Sequence, residues 1–316
     1  KKGLIVTLFA LVVLLSGCQE ETEKITVVLD WTPNTNHTGL YVALENGYFL
    51  DEGLDVEIVQ PSGTSEALVG SNTAQFGISA QEYVIAARSN DIPVVSIASI
   101  IYDNSSGFIS RKESNISTPK DFEDKTYCGW GSDTETEIIK ELVIADDGDF
   151  SKVNITTNYL DIFTDVNKDC DFFWVFEAWQ VEQAKLEGIE YNYLSMIDYS
   201  DDLNFHTPVL ITNEEMLQDN PDTIQAFMDA VSKGYEYAID NPADSALILL
   251  KHAPELNEEL VKASQLFIST IYKKDGIVWG RQSDVYWTDF YTWLNSNGIT
   301  TSITISDAYT NEFINE

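Results

Sequence analysis

The chain has 316 residues, 44% hydrophobic and 12% aromatic, with 52 acidic against 18 basic side chains and a formal net charge of −34. That length supplies enough apolar surface for one large core or two smaller ones. The charge excludes a nucleic-acid partner, whose phosphates would be repelled, and argues against broad contact with anionic lipid headgroups. The acidic residues are scattered rather than run together, which reads as a solvated surface and not a tail.

Lys1-Lys2 precede an uncharged apolar stretch, Gly3 to Leu15, followed by Ser16-Gly17-Cys18. The stretch is short of the about 20 apolar residues that a spanning helix needs. A basic start, an apolar run and two small residues before a cysteine form the pattern of a bacterial secretory signal with a lipoprotein cleavage box. The expectation is a mature chain that begins at a lipidated Cys18 and touches the membrane only through that anchor, on its extracellular or periplasmic face. Gln19 to Lys24, polar and acidic, then serves as a short tether.

Beyond the tether, Ile25 to Leu29 is a buried-strand candidate. His37 to Asn46 reads as a helix stopped by Gly47. Val56–Val59 is a strand, Thr64–Leu68 a short helix, Phe76–Ile78 a strand, Glu82–Ser89 a helix and Pro93–Ile101 a strong apolar strand. The alternation predicts an α/β unit with a parallel sheet. It restarts after Pro119: strand Lys125–Trp130, a helix capped by Ser132 or Asp133 and running to about Ala145, and strands Val153–Tyr159 and Asp171–Phe176. From Asn220-Pro221 onward the spacing is helical. Helices open at Pro221 and Pro242, and two more cover Glu258–Ile268 and Ser283–Leu294. The stripe Tyr286, Trp287, Phe290, Trp293 and Leu294 is assigned to packing.

These elements predict an α/β protein of two lobes. After 1–18 (signal and lipidation cysteine), residues 19–107 and 209–316 form lobe 1 and 108–208 lobe 2. The chain leaves lobe 1 near Gly107–Ser110 and returns near Pro208–Thr212, where Val209-Leu210-Ile211 is strand-like. Two crossings make a hinge, and the cleft between lobes is the natural ligand site. Cys128 and Cys170 could pair in a disulfide outside the cell, but their apolar, strand-like contexts favour two buried thiols. His37, His206 and His252 lie far apart without metal-ligand spacing, so neither a metal nor a cofactor is expected.

The string Leu29-Asp30-Trp31-Thr32-Pro33-Asn34-Thr35-Asn36-His37-Thr38-Gly39-Leu40-Tyr41-Val42-Ala43 is followed by Gly47-Tyr48-Phe49 and Gly53-Leu54-Asp55-Val56. Further along come Phe76-Gly77-Ile78-Ser79, Ile92-Pro93-Val94, Ser106-Gly107-Phe108, Gly129-Trp130-Gly131-Ser132, Thr207-Pro208-Val209 and Lys233-Gly234-Tyr235-Glu236. In order and spacing these resemble the thiamine-pyrimidine family of periplasmic-type binding proteins. More narrowly, they resemble the lipoproteins that feed formylaminopyrimidine to an ABC importer. The resemblance implies a bilobal, type II-like periplasmic-binding-protein fold, a small pyrimidine ligand, an ABC permease as partner, and a monomer without enzymatic activity. The family's enzyme branch makes the hydroxymethylpyrimidine precursor. It needs a lysine for pyridoxal phosphate, a histidine shortly after it and a cysteine-rich iron motif. Ser79 stands in the lysine's place and Tyr83 in the histidine's, and no cysteine cluster is present. A further branch binds riboflavin, and the Asn34–His37 stretch is less similar to it.

A flat aminopyrimidine needs aromatic faces and a few polar partners at its edge. Trp31 lies just past a strand end, where ligands bind in open α/β sheets, and Asp30 beside it can accept from an amine. Glu177 at the end of the bulky strand Asp171–Phe176 is a second edge acceptor, in a place where relatives carry Tyr-Gly-Trp rather than Glu177-Ala178-Trp179. Trp179 is preferred to the mid-strand Trp174 as a second stacking face. Trp130, Gly131 and Ser132 precede a helix whose N-terminus suits a neutral carbonyl such as a formyl oxygen, with a plain strand-to-helix turn as the equal alternative. Tyr83 is a cleft contact, and Asn34, Ser79 and Gly107, all within matched stretches, complete the candidate ligand set. His37 is read as holding the Asn34–Asn36 turn. The alternatives are a binder of another aromatic heterocycle such as riboflavin, or a surface pyrimidine-processing enzyme. Against the enzyme, the chain has no Gly-x-Ser-x-Gly, no His-Glu-x-x-His and no Cys–His constellation.

Overall fold

The computed structural model describes residues 23–157 and 169–315. Cys18, the apolar stretch before it and the end of the expected strand Val153–Tyr159 lie outside the described residues. No helix among the described residues is long and apolar enough to cross a membrane.

Among the described residues, ten strands form two five-stranded sheets. They are β1 (Glu23–Val28), β2 (Leu54–Val59), β3 (Phe76–Ser79), β4 (Val94–Ser99), β5 (Ser106–Arg111), β6 (Thr126–Cys128), β7 (Asn154–Thr156), β8 (Phe172–Phe176), β9 (Tyr191–Ser195) and β10 (Val209–Asn213). The first sheet has the order β2-β1-β3-β10-β4 and the second β7-β6-β8-β5-β9. The chain therefore passes from one sheet to the other over 100–105 and back over 196–208. The helices are α1 (Thr38–Glu45), α2 (Tyr48–Asp51), α3 (Ser65–Gly70), α4 (Gln81–Ser89), α5 (Asp133–Ala145), α6 (Glu182–Leu186), α7 (Glu214–Asp219), α8 (Pro221–Asp240), α9 (Pro242–His252), α10 (Glu258–Ile268) and α11 (Asp284–Ser296).

Local chemistry sets most of these boundaries. Thr64, Ser132, Asn213, Asn257 and Ser283 each accept a backbone N–H in the first turn of the helix they precede. Proline opens α8 and α9, where its missing N–H costs nothing. Gly47, at φ +75°, turns the chain after α1.

The expected parallel sheets are in fact mixed. β1 runs parallel to β2 and β3, but β10 is antiparallel to β3 and β4; β6 is parallel to β7 and β8, but β5 is antiparallel to β8 and β9. β5 and β10 are the strands by which the chain first enters each sheet from the other, and they insert against the direction of their neighbours. A reading by βα alternation has no signal for such strands.

The first sheet buries one face against α8, whose Phe227 stacks on Phe76 at 3.8 Å between ring centroids. α1 and α8 touch through glycines, because a Cβ on Gly234 would stand 2.1 Å from the Gly39 carbonyl oxygen. In α11, Trp287, Phe290, Trp293 and Leu294 are buried, and Phe290 stacks on Phe205 at 4.0 Å. Cys128 and Cys170, expected as free thiols, are joined in a disulfide with 5.8 Å between their Cα atoms. Cys128 ends β6 and Cys170 lies just before β8, its parallel neighbour, so the bridge ties two adjacent strands across 42 residues of sequence.

Candidate functional site

Between the two sheets, at the C-terminal ends of β1 and β8, lies a cavity of about 160 Å³ lined by Asp30, Trp31, Asn34, Phe176, Trp179 and Pro208, among others. The walls come from the first sheet, from the second and from the returning crossing. A cavity of about 150 Å³ accommodates a benzene ring, so this space suits one six-membered ring.

The wall from the first sheet is a tightly tied turn. Asn34 caps a short 3₁₀ turn, Thr35–His37: its side-chain oxygen accepts from the Asn36 N–H at 2.8 Å, and its amide donates to the Thr32 carbonyl at 3.0 Å. The Asn34 N–H donates to His37 Nδ1 at 3.2 Å, which leaves the proton on His37 Nε2 to be donated to Asp30 Oδ1 at 2.8 Å. Two buried tyrosines clamp the turn from behind, Tyr272 donating to the Thr35 carbonyl at 2.5 Å and Tyr235 to the Asn36 carbonyl at 2.7 Å. With its neighbours fixed, Trp31 stands out of the turn, 52% exposed. The polar atoms of Asn34, a candidate ligand contact, are used within the turn, so Asn34 lines the cavity as part of its frame.

The opposite wall begins where β8 ends. Residues Glu177–Val181 form a π-helical turn. It presents Trp179 to the Trp31 cavity and Glu177 to a separate space of about 380 Å³ shared with Tyr102, Asp103, Lys273 and Lys274. The expectation of Glu177 as an edge acceptor beside Trp31 is therefore not met by the geometry. The turn sends residues two positions apart into different cavities, and the Glu177 N–H is held on the Ser105 carbonyl at 3.1 Å. Burial pushes the Glu177 carboxyl above its usual range, with Lys185 opposing and Glu182 and Asp198 adding to the shift.

The helix N-terminus at Trp130-Gly131-Ser132 is already occupied. Glu135, 1% exposed, accepts from the N–H groups of Trp130, Gly131 and Ser132 at 3.0, 2.6 and 2.7 Å, and from the Tyr127 hydroxyl at 2.5 Å. The Ser132 hydroxyl accepts in turn from the Glu135 N–H at 3.1 Å. The carbonyl-binding expectation for Gly131 and Ser132 gives way to an internal capping box. Ser132-x-x-Glu135 is its sequence signature and could have been read as such. Trp130 stays 41% exposed and packs beside Trp174 at 5.1 Å. It also hydrogen-bonds Tyr83, a residue of α4 from the other sheet that is 44% exposed. Burial raises the Tyr83 hydroxyl well above its ordinary range, assisted by the charges of Glu82, Glu135 and Glu66.

Ser79 ends β3 buried, its hydroxyl bonded to Glu66. Gly107 sits within β5 under Tyr193, where a Cβ would meet the Leu194 carbonyl oxygen at 2.3 Å; it is a packing glycine away from the ring cavity. The structure thus brings Asp30, Trp31, Asn34 and Trp179 to one cavity and joins Tyr83 to Trp130. It sets Glu177 and Gly107 apart. Phe176 and Pro208 are lining residues that sequence reasoning missed, since neither type signals a site outside its fold.

Two sheets with a cavity between the ends of their strands is the bilobal α/β architecture of periplasmic solute-binding proteins. The periplasmic aliphatic sulphonate binding protein SsuA of Escherichia coli shares it with a TM-score of 0.71 at 13% identity, over 90% of this chain and 97% of that one. The NMT1/THI5-like family model matches residues 34–245, and the chain belongs to that family. Among its relatives, the formylaminopyrimidine-binding protein of Halalkalibacterium halodurans is 29% identical over 309 residues, 93% of each chain. The 4-amino-5-hydroxymethyl-2-methylpyrimidine phosphate synthase of Candida albicans is 28% identical over 239 residues, 71% of this chain and 70% of that one.

Proposed function

We propose that this protein is an extracytoplasmic solute-binding lipoprotein that captures a thiamine-precursor pyrimidine of the formylaminopyrimidine type and delivers it to an ABC importer. The observation that carries this reading is the one-ring cavity between the sheets, with Trp31 on one wall and Trp179 on the other. Indole faces take up a flat heterocycle by offset stacking, and Asp30 at the rim supplies an acceptor for an exocyclic amine. Because the walls belong to different sheets, ligand binding favours the closed arrangement by its differential affinity for it, which is the signal an importer reads. The similarity to a formylaminopyrimidine-binding protein over 93% of both chains supports the ligand class. Against catalysis, Ser79 holds the position that a cofactor-binding lysine occupies in the enzyme branch, and its hydroxyl is committed to Glu66. Lipidation at Cys18 would keep the protein beside its permease.

Calorimetric titration with formylaminopyrimidine, beside hydroxymethylpyrimidine, thiamine and riboflavin, tests the reading. Selective binding of the formyl compound, weakened about 10- to 100-fold by Trp31→Ala through the lost stacking face, is the expected result. Failure of all four ligands to bind, or a Trp31→Ala protein with unchanged affinity, would refute it.

A further inference from the structure

Two residues that follow β8 are seated in the body of the other sheet. Ala178 is 3% exposed and belongs to the apolar core around Phe76, Phe227 and Tyr235, whose other buried members among the described residues come from 25–101 and 210–314. Trp179 packs against a neighbouring core where Val42 of α1, Ala246 and Leu249 of α9 and Val261 of α10 meet. A third contact between the two bodies lies nearby, with Lys185 of α6 over the Phe267 ring of α10 at 5.7 Å.

Hydrogen bonds fix the π-turn that carries both residues. The Glu177 N–H donates to the Ser105 carbonyl of the first crossing, and the Gln180 side-chain oxygen accepts from the Phe176 N–H at 3.1 Å. α10, which receives Trp179, also backs the opposite wall of the ring cavity: the Ser264 hydroxyl lies 2.6 Å from the Thr35 hydroxyl, behind the turn that carries Trp31. Ala178 and Trp179 themselves line the ring cavity. The two residues that bound the ligand space therefore also fill apolar sites in the other body, and the depth to which the turn seats sets the width of the cavity. Cores are close-packed, so a side chain larger than a methyl at position 178 holds the turn off its seat.

We propose that Ala178 limits the cavity to a single six-membered ring: its methyl group lets the π-turn seat fully in the core of the first sheet, and the seated turn leaves no room for a second, fused ring. The cavity of about 160 Å³ is the size of one ring. Ala178 acts as a positioning residue, through the placement of Trp179 as well as by its own contact with the cavity. The seating is apolar, so a bound ring adds its affinity to an arrangement that the two bodies already favour. The inference rests on the pyrimidine-binding reading and adds to it the residue that sets ring size.

The test compares wild type, Ala178→Gly, Ala178→Val and Ala178→Leu by calorimetry with formylaminopyrimidine, and by competition against it with 4-amino-2-methylpyrimidine and with 4-amino-2-methylquinazoline, the same ring fused to a second. Ala178→Gly should stay within about threefold of wild type. Ala178→Leu should lose about tenfold or more in affinity for formylaminopyrimidine, with Ala178→Val between them, because overpacking unseats the turn. The wild-type preference for the single ring over the fused one should shrink in the same order, which a merely weakened fold would not produce. Small-angle X-ray scattering of the unliganded proteins should show Ala178→Leu more extended than wild type, with circular dichroism unchanged. Wild-type affinity in both Ala178→Val and Ala178→Leu, equal competition by the two rings in wild type, or a loss of affinity with the ring preference intact would overturn the proposal while leaving the pyrimidine-binding reading standing. A wild-type protein that does not bind formylaminopyrimidine would overturn both.

Discussion

Glu135 offers a demanding test of the site's construction. Its carboxylate, 1% exposed, is the common acceptor of three backbone N–H groups and the Tyr127 hydroxyl. The three N–H groups lie at the start of α5, whose dipole adds to the favourable charge interaction. Glu135→Ala removes the acceptor that these four donors share. A buried donor so stranded costs about 1–3 kcal/mol. Water reaches this turn beside the half-exposed Trp130, which favours the lower end for all four. The expected loss is about 4 kcal/mol, a large share of the about 5–15 kcal/mol that holds a typical domain together. Glu135→Gln keeps one acceptor oxygen but turns an amide toward N–H groups, and should lose about 2 kcal/mol. Urea unfolding followed by tryptophan fluorescence, with midpoints compared at constant slope, measures both. A Glu135→Ala protein within about 1 kcal/mol of wild type would refute the argument, because the donors would then have other partners.

Three further predictions follow from the same geometry. The Cys128–Cys170 bridge spans 42 residues of sequence, and its removal by Cys128→Ser with Cys170→Ser should lower stability by about 2–4 kcal/mol in chemical denaturation. His206 is buried with Nδ1–H on the Tyr102 carbonyl and Nε2 accepting from the Ser283 N–H, and burial depresses its folded pKa from 6.5 to about 4. The unfolded chain therefore takes up the proton first, so His206's contribution is full above pH about 6.5 and fades as pH falls toward about 4. Glu82 acts in the opposite sense, its raised pKa penalising the fold above pH about 7 and relieving it below. The readout is accordingly the stability difference between wild type and His206→Gln, which should shrink from pH 7 to pH 4.5; a constant difference would contradict the assignment. Finally, Tyr83→Phe and Trp130→Phe should each reduce ligand affinity by a few fold, and together by little more than the larger effect, because each breaks the same contact between sheets.

The outline of the fold was legible because its helices announce themselves by cap and period. Asn220-Pro221, Asn241-Pro242 and Ser283 open helices where their chemistry says they should, and of the α11 stripe Trp287, Phe290, Trp293 and Leu294 are core while Tyr286 is half-buried and donates to Asp103. β5 and β9 carried no comparable signal. Ser106–Arg111 reads as a connection in sequence, yet its place between β8 and β9 makes it an interior strand of the second sheet. That placement depends on pairings with residues more than sixty positions away. The cysteine pairing failed for the same reason: apolar neighbours describe a strand correctly but do not say which strand lies beside it. The place of Trp31 at the cavity was legible from its position past a strand end. Glu177 was misplaced because a π-turn, which adds a residue to the helical repeat, decides which side each of Glu177 and Trp179 faces.

The charge at the end of β3 bears on the carrier role proposed above, in a family that also contains synthases. The named product of those relatives is a phosphate ester, and pyridoxal phosphate, which the enzyme branch requires, is an anion as well. Here the end of β3 is flanked by Glu66, whose oxygen takes the Ser79 hydroxyl, by Glu82 and, from the other sheet, by Glu135. Four donors surround the Glu135 carboxylate, but Glu66 and Glu82 have no such cage, and burial, with a smaller push from Glu66, raises the Glu82 carboxyl. An incoming phosphate would add to that repulsion in a site of reduced dielectric, where it is felt most strongly. The end of β3 therefore favours a neutral or cationic group over an anionic one.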